Sequence, residues 1–209
     1  MPSNVSRNRL LIAAFIVVLF TVGVFIAYNI GFKKDNQPAH KTFQGAVVSN
    51  GDACAEIGAS MLRKQGSAAD AVIATFLCEE LAIPDAVGIG GGFHMVIYNK
   101  EKNFVEVLNA REAAPMAATQ DMFIGRISAS HEGGLSIGVP GVIKGFWELH
   151  QKYGKLPWKD LFQPTIELAR KGYVVSKFCA SVMQIKKAYI LRSPSLRGFL
   201  INPVTKDVW

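Results

Sequence analysis

The sequence predicts an α/β fold of the α+β kind, preceded by one transmembrane helix. Three observations predict it. Residues 10–30 form a run of 21 without a charge. Two runs of aromatic and β-branched residues, Phe93 to Tyr98 and Phe104 to Leu108, are separated by five residues rich in Asn and Lys, which is the pattern of a hairpin. Apolar residues at helical spacing lie on both sides of that hairpin. With 209 residues, 50% of them hydrophobic and 19% charged, the chain is not disordered, collagen-like or low in complexity.

As a helix, residues 10–30 would reach about 32 Å at ~1.5 Å per residue, enough for the ~30 Å hydrocarbon core of a bilayer. A cleavable leader has a shorter apolar centre, of ~7 to 15 residues, so the run reads as an uncleaved signal-anchor between a tail of residues 1–9 and a polar linker of residues 31–44 carrying Pro38. Arg7 and Arg9 precede it while Lys33, Lys34 and Asp35 follow. Charge therefore sets the orientation weakly, and the short tail is placed in the cytoplasm. Residues 45–209 are left for one folded domain with its own core.

In that domain Asp52 is expected to cap a first helix, with Cys54, Ile57, Met61 and Leu62 on one face and Gly66 as its stop. A second helix follows at once. Ser67 and Asp70 have capping-box spacing, Val72, Ile73, Phe76, Leu77 and Leu81 form a broad apolar face, and Pro84 ends it. The cluster Gly88, Gly90, Gly91 and Gly92 then leads into the hairpin. A short strand from Leu135 to Val139 is expected to stop at Pro140 and Gly141. Three helices are expected near Val142 to Tyr153, Trp158 to Lys171 and Lys177 to Tyr189, with Gly154 and Gly172 as stops and Ser176 as a cap.

The formal charge is +7, of which two charges belong to Arg7 and Arg9. The remainder is dispersed, without the aromatic-interleaved basic stripe that binds single strands, so no nucleic-acid partner is expected. Cys54, Cys78 and Cys179 lack zinc spacing, and nothing in the sequence asks for a metal or other cofactor. If the domain lies outside the cell, a Cys54–Cys78 bridge closing a loop of 25 residues would be worth about 3.5 kcal/mol. Two buried thiols are the alternative.

Gly134 to Gly138 spells G-x-S-x-G, but a nucleophile elbow needs a buried strand before its serine and a helix directly after. Here a polar, glycine-bearing loop precedes Ser136 and Pro140 follows, so the serine is read as structural. Gly88-Ile89-Gly90-Gly91-Gly92 opens a strand, whereas phosphate-cradling loops open a helix. Its glycines are better explained by close approach of backbone to backbone or to a ligand. Arg111 follows the second strand directly, well placed to offer a planar, always-charged fork to a carboxylate. A structural pair with Glu112 or a loop acid is the alternative. His40, His94, His131 and His150 are scattered.

From about Gly45 to the last residue the chain resembles the γ-glutamyltransferase (glutathione hydrolase) family. The resemblance rests on Gly66-Ser67-Ala68-Ala69-Asp70-Ala71, Gly88-Ile89-Gly90-Gly91-Gly92, Asn109-Ala110-Arg111-Glu112 with Pro115, and Gly138-Val139-Pro140-Gly141. It is supported by Leu156-Pro157-Trp158 and Leu161-Phe162-Gln163-Pro164. It implies the N-terminal nucleophile hydrolase fold, a four-layer αββα sandwich built from a precursor cut into a large and a small subunit. The cut would expose a threonine that attacks the γ-glutamyl carbonyl, with its own amine as base. The resemblance makes Arg111 the residue that binds the α-carboxylate of glutathione and related γ-glutamyl compounds, with Glu112 beside it. It makes Cys54 and Cys78 a disulfide pair, and it implies a type II plasma-membrane protein with its domain outside the cell.

The resemblance also implies parts that this sequence does not hold. Thr21, Thr42, Thr75, Thr119, Thr165 and Thr205 lack the family's threonine-rich nucleophile motif, and Trp209 falls within the large-subunit region. The chain is therefore expected to be a truncated large-subunit fragment, inactive without the small subunit. The competing expectation is a non-catalytic, membrane-tethered protein that binds a full-length relative or another partner.

Overall fold

The computed structural model describes residues 17–25, 45–51 and 53–209, and the chain divides into two units, Met1–Gln44 and Gly45–Trp209. In the first unit residues 17–25 form a helix, α1. The rest of the expected span at 10–30, the tail, the linker up to Gln44 and the expected cap Asp52 lie outside the described residues. Among the described residues, no helix is long and apolar enough to cross a membrane.

The second unit opens with α2 (Cys54–Arg63) and α3 (Ala68–Ala82). The Ser67 hydroxyl accepts from the Asp70 amide and the Asp70 carboxylate accepts from the Ser67 amide, the reciprocal box that its spacing predicts. Helix α3 is apolar nearly all round and correspondingly central: it packs on α2, on α4 (Val142–Tyr153) and on α5 (Trp158–Lys171), and buries Ala71, Ile73, Ala74 and Leu77. A disulfide joins Cys54 of α2 to Cys78 of α3. Glu79, also buried, turns back to the segment before α2, where its carboxylate accepts from the Ser49 hydroxyl at 2.6 Å and the Asn50 amide at 2.9 Å.

Strands β1 (Phe93–Asn99) and β2 (Phe104–Ala110) pair antiparallel, Phe93 opposite Ala110 and Asn99 opposite Phe104. Period-two alternation turns Phe93, Met95, Ile97 and Leu108 toward the core and leaves Val96, Tyr98, Val105 and Val107 exposed. Phe93 meets Phe146 of α4 at 5.0 Å between ring centroids, and Phe76 of α3 closes the cluster at 5.9 Å from Phe146. On the sheet's edge, Lys152 and Tyr153 of α4 both donate to Glu106, whose carboxyl is held below its ordinary range by Lys152 first and Tyr153 second. Within the described residues the implied four-layer sandwich is thus represented by one two-stranded sheet with helices against one face.

Two elements differ from expectation. The strand expected over Leu135–Val139 is instead a 3₁₀ turn, Gly134–Ser136, followed by a single bridge from Val139 to Ala113. Three glycines and Pro140 crowd the segment, and the turn closes locally, with the Ser136 amide and hydroxyl both donating to the Gly133 carbonyl. The helix expected over Lys177–Tyr189 breaks at Lys186 into α6 (Lys177–Ile185) and α7 (Lys187–Arg192). The break lets Cys179 and Met183 before it and Ile190 after it enter one small cluster with Val208. Helix α8 (Pro194–Leu200) was not anticipated, although proline at its first position and the spacing of Leu196, Phe199 and Leu200 announce it.

Candidate functional site

Two glycine-bearing segments, residues 88–92 and 138–141, converge on the chain where β2 ends. As the chain leaves the sheet at Ala110, the Asn109 side-chain oxygen accepts from the Arg111 amide at 3.1 Å, and Ala113 exchanges two backbone hydrogen bonds with Val139. The Gly91 carbonyl accepts from the amides of Gly141, at 3.0 Å, and Val142, at 3.2 Å, tying the glycine loop to the start of α4. Backbones here touch. A Cβ on Gly92 would stand 2.6 Å from the Ala110 carbonyl oxygen and 2.7 Å from the Arg111 Cα, and one on Gly141 would stand 2.2 Å from that same oxygen. Glycine at 92 and 141 is what lets Arg111 and Glu112 lie clamped between the two loops, which accounts for both glycine motifs without a nucleotide.

The clamp borders a cavity of about 300 Å³. Phe76, Phe93 and Phe146 give it an apolar floor, and its charged walls are Glu80, Asp85, Arg111 and Glu112. Arg111 Nη2 lies 3.1 Å from Glu112 Oε2, with the two side chains 54% and 28% exposed. The pairing left open in the sequence is therefore made, and the guanidinium still faces solvent. Because an exposed pair of this kind is worth ~0–1 kcal/mol and arginine has five donors, a ligand carboxylate can share the fork at little cost.

Glu80 was not singled out from the sequence. Burial pushes its carboxyl up to about 7, and its Oε2 is buried with no hydrogen-bond partner among the described residues. The available mark was a pair of adjacent acids, Glu79 and Glu80, in an otherwise apolar helix; which of them faces a cavity was not legible. His150 lies away from this wall, packed between Trp147 and Trp158 and 3.8 Å from Asp70. Among the described residues no group of three or more His, Cys, Asp or Glu side chains comes together to hold a metal.

A family model described as gamma-glutamyltranspeptidase matches residues 54–209. The chain belongs to that family. Glutathione hydrolase 3 of Arabidopsis thaliana is 43% identical over 154 residues, 74% of this chain and 24% of the relative. Scoloptoxin SSD14 of Scolopendra dehaani is 43% identical over 97% of this chain and 36% of its own length. Among solved structures, the gamma-glutamyltranspeptidase of Helicobacter pylori superposes with a TM-score of 0.75 at 30% identity, covering 82% of this chain and 50% of that one. A gamma-glutamyltranspeptidase from Pseudomonas nitroreducens, complexed with L-DON, gives 0.70 at 32% identity over 78% and 49%. This γ-glutamyltranspeptidase-family chain thus spans about a quarter to a third of those two curated relatives and half of the solved chains, and the hairpin and the helices from α2 onward are part of the N-terminal nucleophile hydrolase fold.

Proposed function

We propose that this chain provides the α-carboxylate pocket of a membrane-anchored γ-glutamyltransferase or glutathione hydrolase acting on glutathione and related γ-glutamyl compounds. The observation that carries the reading is Arg111, half-exposed on a cavity wall and fixed by a backbone clamp that only glycine at 92 and 141 permits. The guanidinium takes the carboxylate by charge-assisted, paired hydrogen bonds, and Glu112 holds it in register. The names of the relatives, glutathione hydrolases among them, support the substrate class.

The cavity wall carries no serine, threonine, cysteine, histidine or lysine among the described residues. Arg111 can orient a donor but supplies no nucleophile, and covalent acyl transfer needs one. In this reading the nucleophile threonine and the oxyanion donors come from the small-subunit region of the family's precursor, and the 209-residue chain is a large-subunit fragment inactive by itself. The uncharged run at residues 10–30 supports a single-pass anchor, and in this reading the anchor is type II in the plasma membrane, with the domain outside the cell. A second reading, a tethered non-catalytic partner, is favoured by the outward hairpin face, where Val96 is 70% and Val107 63% exposed.

Incubation of the purified chain with γ-glutamyl-p-nitroanilide tests the catalytic half of the proposal. No release of p-nitroaniline above the uncatalysed rate is expected. Sustained turnover abolished by Arg111→Ala would refute the inactive-fragment reading while leaving the residue assignment intact.

A further inference from the structure

The wall that holds Arg111 has an acid which nothing in the clamp uses. Its charged side chains are Glu80 from α3, Asp85 from the turn after α3, and Arg111 with Glu112 from the segment after β2. Strand β1 and helix α4 contribute Phe93, Val142 and Phe146, which carry no charge, and the glycine loop contributes backbone. With every group ionised, an incoming carboxylate meets three anions and one cation. Glu112 already occupies part of that cation at 3.1 Å.

Glu80 differs from the other two acids in its surroundings. Its Oε2 is buried and has no hydrogen-bond partner among the described residues. An ionised carboxylate in that state is costly, whereas a protonated one is an O–H donor on a side chain that lines the cavity beside Arg111.

We propose that Glu80 is a positioning residue for the Arg111 pocket: protonated, it donates a hydrogen bond to the carboxylate that Arg111 holds; ionised, it repels that carboxylate from the cavity. The inference rests on the reading that Arg111 binds a carboxylate ligand, and it deepens that reading by making capture depend on the state of a second side chain. The state changes in an accessible range, because desolvation by burial pushes the Glu80 carboxyl up to about 7. A raised acid is neutral below its midpoint and charged above it, so ligand affinity falls as pH rises through 7. If only the neutral form binds, the competent fraction drops from roughly nine-tenths at pH 6 to roughly one-tenth at pH 8, and the apparent dissociation constant rises about tenfold.

The test is titration of S-methylglutathione, whose carboxylates stay ionised throughout and whose sulfur does not titrate, into the full chain in detergent micelles at pH 6, 7 and 8. Wild type is expected to bind about tenfold more weakly at pH 8 than at pH 6, with a midpoint near 7. Glu80→Gln keeps a donor without the charge and should bind nearly equally at pH 6 and 8. Glu80→Leu, which keeps apolar packing but has no donor, should also lose the pH dependence and bind more weakly than Glu80→Gln at both. Either variant suffices if the other does not fold. A wild-type affinity flat from pH 6 to 8, or an unchanged profile in the variants, overturns the role of Glu80. If binding survives Arg111→Ala undiminished, or wild type binds at neither pH, the underlying carboxylate-pocket reading fails and takes this inference with it.

Discussion

Asp70 is fully buried, and its carboxylate gathers donors from two distant parts of the chain. Oδ2 accepts from the Ser67 amide at 2.7 Å and, across the core, from the amides of Lys155 at 3.0 Å and Leu156 at 3.2 Å. One side chain thus starts α3 and anchors the turn between α4 and α5, while His150 bonds the Leu156 carbonyl from the other side at 2.8 Å. Removing a buried acceptor leaves each donor unsatisfied, at about 1–3 kcal/mol apiece. Asp70→Ala should therefore cost about 3 kcal/mol or more, and Asp70→Asn, which keeps one oxygen, distinctly less. Urea denaturation followed by circular dichroism checks this through the order of the midpoints. The capping box was legible because both partners are side chains at fixed spacing. The link to residues 155 and 156 was not, since backbone amides leave no mark in a sequence. Arg111 was legible for the opposite reason, as a lone guanidinium at a strand end, whereas Glu80 gained its character only from burial.

At the scale of elements, helices with strong periodicity and explicit stops appear where expected: α4 runs from Val142 to Tyr153 before Gly154, and α5 from Trp158 to Lys171 before Gly172. The elements misread are those whose fate depends on a partner. The segment Leu135–Val139 alternates apolar residues as a strand would but, among the described residues, pairs only through Val139 with Ala113, and the run from Lys177 bends because its apolar residues must reach a second, smaller cluster. Between α2 and α3 the Cys54–Cys78 bridge spans 24 positions, a loop whose closure is worth about 3.5 kcal/mol in the chain-entropy model. The paired Cys54→Ala and Cys78→Ala variant should lose stability of that order, with the α-helical circular dichroism of the native state retained at low denaturant. An unchanged denaturation midpoint would show that the bridge is not closed in the folded protein.

For the whole molecule, the sequence resemblance reached the family and the fold, and matched segments at residues 66–71, 88–92, 109–115 and 138–141 prove to be a cap, the two loops of one clamp and the segment held between them. Topology is a separate question, carried by residues 10–30 and readable through Asn4-Val5-Ser6, a glycosylation sequon in the short tail. A type II orientation keeps that tail in the cytosol, so expression in animal cells should leave Asn4 without glycan. A gel shift removed by glycosidase and by Asn4→Gln would reverse the orientation. The central claim is that Arg111 holds the carboxylate of a γ-glutamyl compound, and calorimetric titration of glutathione into the full chain at pH 6 tests it most directly. A charge-assisted, paired contact is worth about 1.5–3 kcal/mol. Arg111→Ala should therefore weaken binding by about tenfold to a hundredfold, and Arg111→Lys, a point charge without the planar fork, should restore only part of it; equal affinity in wild type and Arg111→Ala would contradict the assignment.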